Sequence, residues 1–308
     1  MILVGREPYC DFETIQGAVD FAESKKAETA LTITILSGDY HERVSIQRSN
    51  LTIRGIGEVT ITNSLGANER HDDGNIFGTF RTATLYVGGS RNHLENLIIE
   101  NTAGFGEVAG QALAVYADCD ETTFQNCRLI GYQDTLFTGV LPDKQKDGTD
   151  FVTQAEKLPQ KTYRQYYKQC FISGTIDFIF GGAMAYFEAC EIRSRKEGKR
   201  NSGYVTAAST PLNQEMGFVF ENCWLTAEEG VADVYLGRPW REHAKTHFIN
   251  CDFGPHIHPA GWHDWSKESN RLTVDYRVTA SETIKHTHFP SYVSWGKWLE
   301  SDTKRTKK

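Results

Sequence analysis

Two aspartates occupy matching places in a repeated pattern, and their neighbours are not those of turns. Asp134 lies in GYQDTLF (131–137) and Asp177 in GTIDFIFGGA (174–183), each seven residues after a cysteine, Cys127 and Cys170. If the two segments are successive coils in register, equal offsets stack the carboxylates on one face. Two carboxylates held close together cannot both ionise easily, so their apparent pKa values split. That split supplies an ionised nucleophile or base beside a protonated acid. The ordinary alternative is an Asp ladder capping turns. The apolar, β-branched surroundings in TIDFIF argue instead for a working site, because a carboxylate in such a strand needs a reason.

Residues nearby suit a reaction that develops an oxyanion. Gln133 precedes Asp134, and Gln111 opens QALAVY; neutral amides can donate to an oxygen that becomes charged only in the transition state. In YLGRPW, Arg238 offers a guanidinium fork for a carboxylate and Trp240 a face for a sugar ring. A plain structural salt bridge is the alternative for Arg238. The ligand-like histidine clusters, His71 with Asp72 and Asp73 and His256 with His258, sit in polar loop or edge segments. They are expected at the surface, and neither a metal nor another cofactor is expected.

The elements that must position these residues read as strands. Short period-2 runs such as LTITIL (31–36), LTIRGIG (51–57) and ATLYVGG (83–89) are separated by Gly, Asn and Asp. The convincing helix is near the start, where Phe12, Ile15, Ala18, Val19 and Ala22 recur at helical spacing behind Asp11 as N-cap. An aromatic-x-x-Cys unit repeats at FQNCRLIG, YKQCFISG, FEACEIRS, FENCWLTA and FINCDFGP, with LENLIIENT an earlier version carrying Leu97 in the cysteine's place. Cys127, Cys170, Cys190, Cys223 and Cys251 are separated by 43, 20, 33 and 28 residues. A constant unit with variable connections is the pattern of a solenoid whose loops leave one edge, with the cysteines as an interior ladder. Residues 66–75 and 141–161 then project as loops.

Composition excludes several classes. A formal charge of −7 argues against a nucleic-acid binder, and no apolar run is long enough for a membrane span. Seven cysteines without a CxxC pair suggest reduced thiols, not a disulfide framework. Met1–Tyr9 has no apolar run of the signal-peptide kind, which predicts a cytoplasmic protein, or a secreted one if a leader has been removed. A monomer is expected.

The motifs QALAVY, GYQDTLF, GTIDFIFG and YLGRPW, in that order, resemble those of the pectin methylesterase (pectinesterase) family. FETIQGAVDFA, YHERVSI (40–46), GYVTAAST (203–210) and the GW of Gly261 with Trp265 extend the resemblance over nearly the whole chain. It implies an all-β, right-handed parallel β-helix, in agreement with the repeat. Domain boundaries follow as one unit over 1–308: an N-terminal cap at 1–30, coils at 31–285 and a tail at 286–308. The implied reaction is methyl-ester hydrolysis on galacturonan, pectin or oligogalacturonates, releasing methanol. By the same resemblance Asp177 is the nucleophile, and Asp134 protonates the leaving methanol and then activates water. Gln111 and Gln133 stabilise the oxyanion, Arg238 holds Asp177 or a substrate carboxylate, and Trp240 and Phe178 line the sugar groove.

The 141–161 insert is longer than the turn usual in the family after the first aspartate motif. With the missing signal it points toward methylated oligomers as substrates. Polysaccharide lyases and polygalacturonases share the architecture, but a lyase needs a calcium-binding acidic cluster and a glycosidase a carboxylate pair set for water. A catalytically dead sugar binder using Trp240, Trp262 and Trp265 is a third reading, against which both aspartates and both glutamines stand.

Overall fold

A computed structural model of the chain describes residues 1–26, 28–72, 74–153 and 163–279. Among these, the strands form a 16-stranded and a 7-stranded sheet in which neighbours are successive coils, not consecutive strands. Each coil has a first leg, a second leg and a third leg. The three legs of one coil are Thr122–Gln125, Arg128–Ile130 and Leu136–Thr138. Each pairs in parallel with its counterpart in the next coil. The chain is the expected parallel β-helix.

The repeat unit is not one strand. It is two legs joined by a sharp corner, and the residue before each cysteine makes that corner. Asn96, Asn126, Gln169, Ala189, Asn222 and Asn250 all have left-handed backbones, with φ between 49° and 56°. Asparagine tolerates this region better than most L-residues. The Asn126 amide also donates to the Asn96 carbonyl at 2.8 Å, so the corners are hydrogen-bonded from coil to coil.

Inside the corner the repeat becomes two ladders. Phe124, Tyr167, Phe187, Phe220 and Phe248 stack with ring centroids 5.0, 4.6, 4.4 and 4.5 Å apart. Beside them the thiols of Cys170, Cys190, Cys223 and Cys251 each lie 3.4 Å from the backbone carbonyl of the aromatic rung one coil earlier. Cys127 makes the same contact at 3.5 Å to Leu94, which stands where a ring would be. A cysteine is small enough for the crowded corner and is a weak donor to a carbonyl there. All seven cysteines are free thiols.

The N-terminal segment closes one end of this core. Ile2–Val4 adds a parallel strand against Ile33–Ile35, and the helix Ile15–Glu23 buries Ile15, Ala18, Val19 and Ala22 over it. Its N-cap is Thr14, whose hydroxyl accepts from the Gly17 N–H at 3.2 Å. The expected cap, Asp11, instead accepts the Leu3 N–H at 2.8 Å. The free helix N–H groups of Ile15 and Gln16 donate to the Glu42 carboxylate at 2.8 and 3.0 Å, so a residue distant in sequence completes the cap. No helix among the described residues is long and apolar enough to cross a membrane. The 286–308 tail and the last residues assigned to the coils lie outside the described residues.

Phe187 is stacked on both faces, by Tyr167 and Phe220. Phe187→Ala should therefore lower stability by about 3–5 kcal/mol, read from the urea unfolding curve; a loss below about 1 kcal/mol would mean the ladder is not a main contributor.

Candidate active site

Register brings the two aspartates together. Arg128 pairs with Phe171 before them and Leu136 with Ile179 after them. The offset of 43 residues is the same on both sides and separates Asp134 from Asp177. Each lies at the entry to a third leg, Asp134 two residues before Leu136 and Asp177 just after Ile176, with a left-handed backbone, φ 64° at Asp134 and 49° at Asp177, and the Asp134 N–H donates to the Ile176 carbonyl at 3.0 Å. Strained backbone of this kind at two stacked carboxylates is a recurrent property of working sites.

The strand Ile176–Gly181 carries an irregularity between Ile176 and Ile179 where it pairs with the next coil. One expectation is corrected here. Phe178 is fully buried in the main core and so is Ile179, although they are adjacent. The extra residue resets the alternation, and Phe180, not Phe178, faces outward into the cleft. A neighbour of Asp177 on a pleated strand could not have shared its face.

Asp134 and Asp177 are 8% and 7% exposed, but their partners differ. Arg238 grips Asp177 with both prongs, Nε donating to Oδ1 at 2.8 Å and Nη2 to Oδ2 at 2.7 Å. The guanidinium is itself sandwiched between Tyr204 and Trp265, its carbon 3.9 and 3.8 Å from the two ring centres. Of the two roles expected for Arg238, its fork is therefore committed to Asp177 and is not free to clamp a substrate carboxylate. Burial raises the pKa of Asp177, and the hydrogen bonds and charge of Arg238 oppose that rise. Asp134 is pushed well above the ordinary carboxylate range, first by burial and then by the charge of Asp177, with Arg238 only partly offsetting them. Both pKa values are thus pushed up, Asp134 further than Asp177, which Arg238 holds back.

A cleft of about 340 Å³ opens over the pair. Gln111, Gln133 and Trp240 line it, together with Phe80, Phe180 and Trp265. Gln133 lies against Gly106, where a Cβ would come within 2.3 Å of its Oε1, so only glycine leaves this amide its place. Phe80 and Phe151 come from connecting segments with no periodicity to mark them, and Gln145, Lys146 and Phe151 bring the insert into the cleft wall. Tyr204 could have been suspected from GYVTAAST as a residue aligned with the third leg. His256 departs from its expected surface position: it is buried, with Nε2 unpartnered, while His258 stacks on Tyr235 at 4.3 Å. His71 is exposed.

The family model for pectinesterase matches residues 1–145 and 149–305. The chain belongs to the pectinesterase family. It is 32% identical over 282 residues to a probable pectinesterase/pectinesterase inhibitor of Arabidopsis thaliana, a match covering 89% of this chain and 38% of that protein. The chain spans about half the length of the curated relatives it matches. Among solved structures, a pectin methylesterase from carrot aligns with TM-score 0.77 at 26% identity, covering 98% of this chain and 95% of that one. A pectin methylesterase in complex with a hexasaccharide aligns with TM-score 0.70 at 27% identity, covering 83% and 80%. These pectinesterase relationships establish the β-helix and the family.

The raised pKa of Asp134 has a stability consequence. The unfolded chain releases the Asp134 proton near the ordinary value of 3.8, whereas the folded protein holds it to higher pH. Between those points the folded state binds more protons, so stability falls as pH rises. Asp134→Asn should remove this part of the slope and stabilise the protein at neutral pH by on the order of 1 kcal/mol. An unchanged slope in thermal unfolding across that range would show that Asp134 ionises normally.

Proposed function

We propose that this chain hydrolyses the methyl esters of galacturonan, with Asp177 as nucleophile and Asp134 as acid and then base. The observation that carries the reading is the asymmetry of the stacked pair: Arg238 is bidentate on Asp177 alone, leaving Asp134 buried with a raised pKa. Paired carboxylates with separated pKa values divide acid and nucleophile roles in this way. The pectinesterase family match supports the reaction class, and the hexasaccharide complex of a structural relative supports an extended sugar as substrate.

The Asp177 carboxylate attacks the ester carbonyl carbon, and the carbonyl oxygen takes the negative charge as the carbon becomes tetrahedral. Gln111 and Gln133 donate to that oxygen. Collapse breaks the bond to the methoxy oxygen, which takes the proton of Asp134 and leaves as methanol. Asp134, now a carboxylate, removes a proton from water as the water attacks the substrate acyl carbon of the anhydride formed with Asp177, and the bond from that carbon to the Asp177 oxygen breaks. The acid product leaves, and Asp177 is regenerated as a carboxylate beside a protonated Asp134.

The insert narrows the cleft: Phe151 packs edge-on to Phe80 at 5.3 Å and to Trp240 at 6.0 Å. That built-up wall supports a preference for methylated oligogalacturonates over polymer. The free thiols support a reducing compartment.

Methanol release from highly methylated pectin and from methylated oligogalacturonates, beside a boiled control and with excess chelator, tests the function. Chelator-resistant release is expected, lost by at least about a thousand-fold in Asp177→Ala and reduced roughly a hundred-fold in Gln133→Leu. Shortened or unsaturated products without methanol would overturn the assignment. The pH profile should be bell-shaped, its acid limb from Asp177 and its alkaline limb from Asp134. Because Arg238 lowers the pKa of Asp177, Arg238→Gln should shift the acid limb to higher pH; a shift downward or none would separate Asp177 from that limb.

A further inference from the structure

A second arginine reaches back two coils to an aspartate motif. Arg195 follows the second leg Glu191–Ser194 and returns to the turn before Asp134, 63 and 64 residues earlier. Its Nη1 donates to the Gly131 carbonyl at 2.8 Å and its Nη2 to the Tyr132 hydroxyl oxygen at 3.1 Å. The guanidinium carbon lies 4.1 Å from the centre of the Tyr132 ring, so the charge also rests on the ring face. A flat fork that holds two acceptors and a ring together is a property of arginine that lysine lacks.

Arg195 is held in its turn. Its backbone N–H donates to the Gly174 carbonyl at 2.7 Å, and its Nε donates to Glu228 Oε1 at 3.4 Å. The other Glu228 carboxylate oxygen accepts the Lys196 N–H at 2.9 Å, and the Glu228 N–H donates to the Ser194 carbonyl at 2.9 Å. The Arg195 side chain is 19% exposed, so its hydrogen bonds are partly shielded from water.

The residue this clamp leads to is Gln133, which lies between Tyr132 and Asp134. The Tyr132 carbonyl accepts the Thr175 N–H at 2.9 Å and the Gln133 carbonyl accepts the Ala112 N–H at 3.1 Å, so the backbone beyond the clamp is tied to both neighbouring coils. Tyr132 meets Phe105 edge-on, with ring centres 5.3 Å apart, and Phe105 leads into Gly106, against which the Gln133 side chain lies. We propose that Arg195 is a positioning residue, which by clamping Gly131 and Tyr132 sets the reach of the Gln133 amide toward the oxyanion. This rests on the esterase reading, in which Gln133 donates to that oxygen. A displacement of about 1 Å is enough to lose much of a hydrogen bond that counts only in the transition state.

The experiment is a double-mutant cycle between Arg195→Met and Gln133→Leu, read as initial rates of methanol release from highly methylated pectin across pH. Arg195→Met should lower kcat roughly ten-fold and leave KM within about two-fold. In the Gln133→Leu background the same substitution should cost less than about two-fold, because the amide it positions is gone. The partners of Arg195 in the turn are a carbonyl and a hydroxyl, not a carboxylate, so both limbs of the pH profile should stay in place. Arg195→Lys, which keeps the charge and a donor, should recover part of the loss. Tyr132→Leu, which removes the clamped ring and hydroxyl, should reproduce the fall in kcat and its disappearance in the Gln133→Leu background. It carries the same test where thermal unfolding shows Arg195→Met to be misfolded. Losses that multiply, no loss at all, or a loss confined to KM would overturn the positioning role and leave the esterase reading intact. No methanol from the wild type would overturn the esterase reading and this proposal with it.

Discussion

Coil register is the constraint on which everything else in this protein depends. In a parallel β-helix each leg is fixed by hydrogen bonds to the coils on either side, so a residue's position follows from its offset within the coil. Connections between coils vary widely in length, yet the aromatic rungs stay 4.4 to 5.0 Å apart. Length differences are absorbed where the chain leaves the second leg, as between Asn63 and Leu85, and where it leaves the third, as between Thr138 and Arg164. The insert after Thr138 can therefore build a wall for the cleft without disturbing the pairing of Leu136 with Ile179 or the alignment of Asp134 with Asp177.

Register alone would make the two aspartates equivalent; electrostatics makes them different. Arg238 comes from the coil after next, and its fork reaches Asp177 but not Asp134. Tyr204 and Trp265 clamp the guanidinium from both faces, so its geometry is held by packing before any substrate arrives. Burial then acts on both carboxyls in the same direction, and the ion pair decides which one carries the charge. A site organised in this way has its charges placed in advance, and preorganisation of that kind is the main source of electrostatic catalysis.

The parts of this arrangement that were legible in the sequence are those that repeat. The cysteine spacing showed the solenoid, and equal offsets from Cys127 and Cys170 showed the stacked aspartates, because a coil preserves offsets. What was not legible depended on local breaks in the pattern or on distant partners. The left-handed corner before each cysteine is carried by Asn, Gln and Ala alike, so residue type marked it poorly. The irregularity beside Asp177 placed Ile179 inside and Phe180 outside, against the simple alternation of a pleated strand. Glu42 capping the first helix, Tyr204 beneath Arg238, and Lys146 beside Trp265 are contacts between segments that no spacing rule connects.

In the proposed mechanism Asp134 holds a proton at neutral pH while its neighbour Asp177 does not. Infrared difference spectroscopy of the wild type against Asp134→Asn tests it directly, because a protonated carboxyl has a carbonyl stretch separate from those of carboxylates and amides. A carboxylic-acid band is expected at neutral pH in the wild type and is expected to be absent from the variant. A wild-type spectrum without that band, with the loss in Asp134→Asn appearing among the carboxylate stretches instead, would contradict it.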